Sequence, residues 1–546
     1  MKLLPRLLPT EEDEDRRLEQ LDLEPEVVAK AHPPLHWGWT AAVAGAAALP
    51  RLIYLFVFTN PENAGHGFTD AYHHWQIAYL TKEIGLSHGP RLWDLKGWEY
   101  FWGALHPLMM DVLFFATGSA DIVLARLLSL AFGSLAVVLI FHLCHRYWGT
   151  CVAVAAAAFA ALAPASIFND VAGLPEPVAV ALMLFGIWLT PRRSFWAGLA
   201  WALAAMARVE AWLFGAGLIV AWLWGRRPSY PRWPLVAGWA LVMVIYAKFL
   251  LDQTGNPIYP LYVIVRSVAF GSETGTGVMA GHDLLGLPLL GAILVSGAGV
   301  AWSLWKRPPS CLLLVYGFGY TAYSFTFFRV DDWKERRFEF PMDFAAILAA
   351  VLLLKVLPER LRSAAPLGWA VAAAGLLVIQ VFWVPIQNAY SATEVGFQDQ
   401  VRMGRTIGAV YNQPEYRGGV LTVPGDAPTL VYTMVRDGGV PGAHISSEFY
   451  DPFYYLPAAY RYVDHREIVG TLVNCWLVNT RTRLLLLPPP GPVNNSVADD
   501  QAFIADHPQW FLDTGAQLDA GWALIAVKVP DPGSIECAQA ARDAPH

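Results

Sequence analysis

The sequence predicts a polytopic α-helical membrane protein with about eleven transmembrane helices and a soluble C-terminal α/β domain. The chain of 546 residues is 55% hydrophobic and only 15% charged, and its mean hydropathy is +0.38, which is too apolar for a soluble globular protein. Apolar runs of roughly 20 residues, the length that a helix needs to cross the hydrocarbon core, recur along most of the chain. After about residue 386 they give way to short alternating runs typical of strands;.

The candidate spans are defined by apolar length. They lie at about 37–59, 120–143, 149–168, 173–190, 194–207, 211–225, 234–251, 284–305, 310–328, 339–356 and 367–386.

The sidedness of the spans follows from charge. Short loops after alternate spans, at 145–149, 190–194, 225–234, 305–309 and 355–363, all contain Arg or Lys, as the positive-inside rule expects of cytoplasmic loops. The rule places segment 1–36 in the cytoplasm. The transmembrane domain then covers 37–386 with an outer loop at 60–118, and the α/β domain 387–546 is extracytoplasmic.

The run from 195 to 225 permits either one long tilted helix or two short helices that turn at Arg208 and Glu210. Charge favours two helices, because a single helix would invert every later loop and leave the basic ones outside.

Charge and cysteine content exclude several other classes. The formal net charge of -7 gives no general basic field for nucleic acid;. Segment 1–36 is highly charged and lacks the apolar core of a cleavable signal peptide. The five cysteines form no zinc spacing;. Cys475 and Cys537 lie in the C-terminal region, and we predict that they form a disulfide if that region faces an oxidising compartment.

The segment 65–107 is too polar for the lipid interior and combines acidic residues and histidines with several tryptophans, a mixture suited to a wet site at the membrane surface;. Within it, 70–84 is predicted to be a helix. A second, amphipathic helix is predicted over 97–115 in the plane of the interface. Its apolar stripe comprises Trp98, Phe101, Trp102, Leu105, Met109 and Val112.

The C-terminal region contains three alternating apolar runs that are predicted to be strands. They lie at 419–425, 483–490 and 521–530, separated by turns rich in Gly, Pro and Asp;.

The layout resembles the GT-C superfamily of membrane glycosyltransferases, which take sugars from polyprenyl phosphates or diphosphates. The resemblance covers about 37–386 and is carried by FTDAYHHWQIAYLTKEIG, LARLLSLAFGSLAVVLIFHLCHRYWG, NDVAGLPEP, TGNPIYP and RRFEFPMD. The H-K-D-E motif of GPI-type mannosyltransferases and the W-W-D-x-G motif of oligosaccharyltransferases are absent. The sequence therefore does not decide which branch of the superfamily it resembles: the protein-mannosyltransferase, the aminoarabinose-transferase or the oligosaccharyltransferase type.

The resemblance implies that Asp70, the acid of the first outer loop, is the general base that deprotonates the acceptor. A purely structural alternative is that Asp70 caps the helix that follows it, since Asp is a favoured N-cap residue.

When the sugar–phosphate bond breaks, the charge of the lipid phosphate that leaves must be stabilised by cations. Arginine suits this role, because its guanidinium presents a fixed fork of hydrogen-bond donors. The candidates are Arg329, Lys334, Arg336 and Arg337, with Arg208 second. The alternative is a surface loop of salt bridges, because Asp331, Asp332, Glu335 and Glu339 alternate with the basic residues. For Arg208 the alternative is pairing with Glu210.

Other polar residues are candidates for contacts with the sugar or acceptor: His73, His74, Glu99, Asp170 and Glu176. Asp70 and His73 could share a divalent ion such as Mg²⁺ or Mn²⁺. No third ligand is visible by spacing, so no cofactor is assigned. The two adjacent histidines point about 100° apart on a helix and cannot easily chelate one ion.

These features predict an inverting glycosyltransferase that moves a sugar from a lipid carrier to a glycan, lipid or protein acceptor. It would reside in the plasma (inner) membrane with an extracytoplasmic site, or in the endoplasmic reticulum with a lumenal one. The alternative is a lipid or glycan transporter or flippase, although neither paired repeats nor broken helices are evident. A non-catalytic scaffold would not need the polar segment 65–107.

The predicted topology can be tested with single cysteines. A cysteine placed in the loop 190–194 should resist a membrane-impermeant thiol reagent in intact cells, whereas one at Gly425 should react. Equal labelling at both positions would contradict the assigned sidedness.

Overall fold

The computed structural model describes residues 37–63, 69–84, 103–190, 193–224, 233–263, 287–327, 339–356, 394–423, 427–447, 456, 459, 463–489 and 497–544. These residues form a helical body followed by a small mixed sheet flanked by helices.

The body contains helices of very different length. They are α1 (Trp37–Ile53), α2 (Thr69–Ile84), α3 (Leu105–Thr117), α4 (Ile122–Trp148), α5 (Thr150–Leu162), α6 (Pro164–Val171), α7 (Glu176–Leu189), α8 (Ser194–Ala207), α9 (Glu210–Leu223), α10 (Trp233–Thr254), α11 (Leu287–Lys306), α12 (Cys311–Phe327) and α13 (Glu339–Val356).

The C-terminal region alternates helices and strands. In chain order these are α14 (394–411), β1 (Val420–Val423), α15 (Pro428–Arg436), β2 (Ile445–Ser447), α16 (Arg466–Asn479), β3 (Thr482–Leu487), α17 (Val497–Asp506), β4 (Phe511–Asp513), β5 (Ala523–Val527) and α18 (Ser534–Asp543).

Within the described residues, three helices are long and apolar enough to cross a membrane: α1 with its π-helical end Tyr54–Phe58, α4 and α10. A fourth span results if the bent pair α5 and α6 counts as one. The predicted number of eleven thus stays a prediction. Helices α7, α8 and α9 have 14 residues each, too few to span about 30 Å by themselves.

The predicted span 149–168 is wrong as a single helix. The chain breaks between α5 and α6, which are bent by 57°. Pro164 has no N–H to continue the ladder and forces Ala163 into an extended conformation with ψ 128°;. A broken helix, which the sequence analysis did not detect, therefore exists, and α6 continues past the predicted end of this span at residue 168.

The prediction of two helices between 195 and 225 is confirmed. Arg208 separates α8 from α9 and is extended, with φ -144° and ψ 136°. The two helices fold back on each other, since the Trp212 indole donates to the Ala205 carbonyl at 3.0 Å.

Helices α8 and α10 pack through glycines. A Cβ on Gly198 would lie 2.1 Å from the Leu235 carbonyl oxygen, and one on Gly238 would lie 2.1 Å from that of Phe195. Small residues let helix backbones approach closely. Close packing matters in a membrane, because lipid is as apolar as the helices and gives no hydrophobic driving force for their association.

The sheet has the order β2-β1-β3-β5-β4. Strand β1 pairs in parallel with β2 and β3, and β5 is antiparallel to β3 and β4. The three predicted strands are confirmed as β1, β3 and β5. Alternate leucines of β3 pack in two different hydrophobic cores, because successive side chains of a strand point to opposite faces of the sheet. Leu484 and Leu486 face one core, and Leu485 and Leu487 face the other.

A disulfide joins Cys475 of α16 to Cys537 of α18 across 62 residues of chain. Helix α18 is otherwise mostly exposed, so the bond is its main attachment to the sheet domain.

Breaking this disulfide should lower the thermal stability of the C-terminal region. The chain-entropy model gives a contribution of about 4 kcal/mol for a closed loop of this length. Thermal unfolding of Cys475→Ala beside the parental protein measures the change, and mass spectrometry of non-reduced protein checks the bond. Two free thiols in the parental protein would contradict the pairing.

Candidate active site

Helix α2 is polar yet almost entirely buried. Every residue from Ala71 to Thr81 is buried, including His73, His74 and Gln76. Buried polar side chains need partners, because each loses its hydrogen bonds to water. The surroundings of α2 therefore decide what this part of the chain can do.

Asp70 lies in the first turn of α2 and is partly exposed. The structure describes α2 from Thr69 onward, and capping of α2 by Asp70 stays the structural alternative. A carboxylate in this turn interacts favourably with the helix dipole. The next residue, Ala71, packs against the turn around Gly173, which follows α6.

Arg126 of α4 lies on the same turn. Its guanidinium is fully buried and donates to the carbonyls of Ala172 at 2.7 Å and Glu62 at 2.8 Å. It also lies 5.9 Å from the centre of the Tyr72 ring. The sequence analysis missed Arg126, although an arginine within an apolar run was the available signal. Arg126 thus ties α4, the 172–174 turn and α2 together.

Among the residues that the structure describes, the two histidines of α2 belong to no group of three metal-ligating side chains. The His74 ring meets the His106 ring of α3 edge-on at 5.0 Å. His106 and Asp111 form part of the buried face of α3, whereas Val112 of the predicted apolar stripe is exposed. Helix α3 begins at Leu105, after Gly103 and Ala104 outside it, so the predicted helix 97–115 is wrong as one continuous helix. Trp98, Phe101 and Trp102 lie outside the described residues.

Glu176 and Arg208 form a buried ionic cluster at the ends of α7 and α8. The Arg208 Nη1 lies 3.4 Å from Glu176 Oε1, and its Nη2 lies 2.9 Å from Glu210 Oε1. Phe214 and Tyr320 line the same small cavity. The carboxylates of Glu176 and Glu210 both bind Arg208. The pairing with Glu210 is the one given above as the alternative to phosphate binding.

A second ionic cluster surrounds Asp170. Arg51 of α1 donates to Asp170 Oδ2 at 2.6 Å and to the carbonyls of Ala47 and Ala161. Glu339 at the start of α13 lies close enough to Asp170 for an electrostatic interaction. Glu339 is buried, which contradicts its placement among the salt bridges of a surface loop.

Asp343 extends this cluster by one helical turn, and the Ser166 hydroxyl donates to it at 3.2 Å. Three carboxyl groups thus surround one guanidinium. Arg51 was missed by the sequence analysis, because nothing in the sequence links it to a partner 119 residues away.

Several predicted site residues lie outside the described residues: Glu99, Arg329, Lys334, Arg336 and Arg337. In the part of the chain that the structure describes, no three His, Cys, Asp or Glu side chains come together to hold a metal ion. A divalent ion shared by Asp70 and His73 therefore stays a prediction.

Comparison with known proteins gives likenesses in structure alone. No family model and no curated protein matches the chain. Archaeal oligosaccharyltransferase AglB from Archaeoglobus fulgidus, solved with an inhibitory peptide and a dolichol-phosphate, is 13% identical. It aligns over 82% of this chain and 69% of its own, with a TM-score of 0.46. ArnT from Cupriavidus metallidurans, solved with undecaprenyl phosphate, is 14% identical. That alignment covers 90% of this chain and 98% of ArnT, with a TM-score of 0.49.

Neither likeness carries an argument about this chain, because both TM-scores lie below 0.5. At these identities and TM-scores, their activities do not transfer to this chain.

Removing the Arg51 charge should destabilise the protein strongly, because Asp170 would lose its only cation among the described residues. Breaking a buried pair costs about 3–5 kcal/mol. Arg51→Met should therefore lower the unfolding temperature in detergent far more than Arg51→Met with Asp170→Asn. Equal losses in the single and double variants would contradict the pairing.

Proposed function

We propose that this protein is an inverting glycosyltransferase that uses a sugar carried on a polyprenyl phosphate or diphosphate. The observation that carries the proposal is Asp70, a partly exposed carboxylate at the start of a helix that is otherwise buried and held on several sides. A general base needs one face open to substrate and a fixed position.

The reaction would proceed by a single displacement. The acceptor hydroxyl oxygen attacks the anomeric carbon, its proton passes to Asp70, and the bond from that carbon to the phosphate oxygen breaks with inversion. The electron pair of that bond leaves with the lipid phosphate. Arg329, Lys334, Arg336 and Arg337 would stabilise the leaving phosphate.

The remaining candidates have supporting roles in this proposal. Glu176, Arg208 and Asp170 hold the helix ends behind the site through buried ion pairs. His73, His74 and Glu99 remain candidate contacts for the sugar or acceptor. The sugar, the acceptor and the outward orientation of the site belong to the proposal.

One observation favours transport as a second candidate function. The break between α5 and α6 resembles the discontinuous helices at transporter binding sites;. It lies beside the charged Asp170 cluster, which such sites also use. Movement of a fluorescent lipid across sealed proteoliposomes, without sugar transfer, would support this alternative.

Asp70→Asn should abolish most turnover with little change in stability. Asparagine keeps the size and ranks with aspartate as an N-cap residue, but it loses the charge and cannot accept the acceptor's proton. We expect kcat to fall by a factor on the order of 10²–10⁴, with donor KM nearly unchanged. Sugar transfer and donor hydrolysis are measured separately at matched folded concentration.

Asp70→Ala supplies the control for a structural role. If Asp70 only stabilises α2, Asp70→Ala should lower the melting temperature, and activity should fall only as folded protein is lost. Parental transfer by Asp70→Asn would refute the general base, and Glu99 would be the next carboxylate to test, because Asp170 and Glu176 are buried in ion pairs.

A further inference from the structure

One face of the C-terminal sheet shares its core with α2. Leu421 of β1, Leu484 of β3 and Leu524 of β5 belong to the same buried cluster as Tyr72 and Trp75. The opposite face packs separately on α16 and α17. Apolar burial against the sheet domain is therefore part of what holds α2 in place.

Tyr432 of α15 makes the closest aromatic contacts between the sheet domain and α2. Its ring centre lies 5.4 Å from that of Tyr72 and 4.8 Å from that of Trp75, edge-on to the latter at 88°. One helical turn further along α2, Tyr79 stacks on Trp75 at 4.8 Å. A Cβ on Gly442 would lie 2.4 Å from Tyr79, so the loop before β2 also presses on α2.

Charged contacts reinforce this interface at the chain entering α2. Arg436 of α15 forms an ion pair with Glu62, and its guanidinium lies 5.2 Å from the Tyr432 ring centre. Glu394 of α14 accepts from the Asn60 amide at 3.2 Å and from the Asn63 amide at 3.1 Å. The segment before α2 is thus bound to the sheet domain by polar contacts.

Tyr72 joins the two sides. Its ring contacts Tyr432 on the sheet domain and Arg126 on α4. Its hydroxyl donates to the Glu62 carbonyl at 2.8 Å. Burial raises the pKa of the Tyr72 phenol, so the hydroxyl stays protonated and can keep donating at neutral pH;. Tyr72 lies two residues from Asp70 on a rigid helix.

We propose that the C-terminal domain is a positioning part of the active site: the Tyr432 and Arg436 surface of α15 clamps α2 against Arg126 and so fixes Asp70. Tyr432, Arg436 and Tyr72 are positioning residues, since they act on Asp70 through the helix. The effect on catalysis rests on the proposed function, whereas the clamp itself does not.

Hydrogen exchange on the full chain in lipid nanodiscs tests the clamp directly. Tyr432→Ala should accelerate exchange of the α2 amides by about tenfold, the equivalent of losing one or two aromatic pair contacts. Tyr432→Phe keeps the ring and should exchange at the parental rate. Phe503→Ala truncates an aromatic residue in the core on the opposite face of the sheet, and it should leave α2 unchanged.

Unchanged α2 exchange in Tyr432→Ala, or equal acceleration in Phe503→Ala, would overturn the clamp. If Tyr432→Ala does not fold, Arg436→Gln serves in its place, because the ion pair with Glu62 is partly exposed. It should accelerate α2 exchange by a few-fold, and parental exchange would overturn the clamp.

Sugar transfer gives a second readout. Tyr432→Ala should lower kcat and leave donor KM unchanged, and Tyr432→Phe should restore kcat. A raised donor KM at parental kcat would contradict positioning. If the parental protein transfers no sugar from any polyprenyl-linked donor, the proposed function fails, and the exchange experiment still decides the clamp.

Discussion

The structure depends on the burial of a polar helix. Helix α2 carries two histidines and a glutamine into the interior, where hydrogen bonds to water are unavailable and irregular packing would leave polar atoms unpaired. Helix α2 is packed against distant parts of the chain: Arg126 and the 172–174 turn from the helical body, and the sheet from the C-terminal region. Asp70 gains a fixed position as a consequence.

Among the described residues, two groups of buried charges join the ends of helices, one around Arg51 and one around Arg208. In the group around Arg208, two carboxyl groups share one guanidinium. Such groups specify which helix ends meet, since an unpaired partner in a dry interior is costly.

Periodicity and charge predicted the local elements well. The helix Ser194–Ala207 and the helix Glu339–Val356 have the bounds expected from apolar length. Strands β2 and β4 were missed because three residues are too few to show alternation;. The pairing of Arg51 with Asp170 and the contact of Tyr432 with Tyr72 join residues remote in sequence, and no local pattern encodes such pairs. The burial of His106 on α3 was missed for a related reason: its contact with His74 of α2 joins two segments and is invisible in either one alone.

The most direct test of the central claim, that Asp70 lies at the reacting sugar, is an experimental structure with an unreactive polyprenyl-phosphate sugar analogue in lipid. The account predicts the sugar within hydrogen-bonding reach of Asp70, the phosphate beside basic side chains from 329–337, and the lipid tail between helices. A headgroup bound away from Asp70, or a pathway through the helices that opens alternately to the two sides, would contradict it.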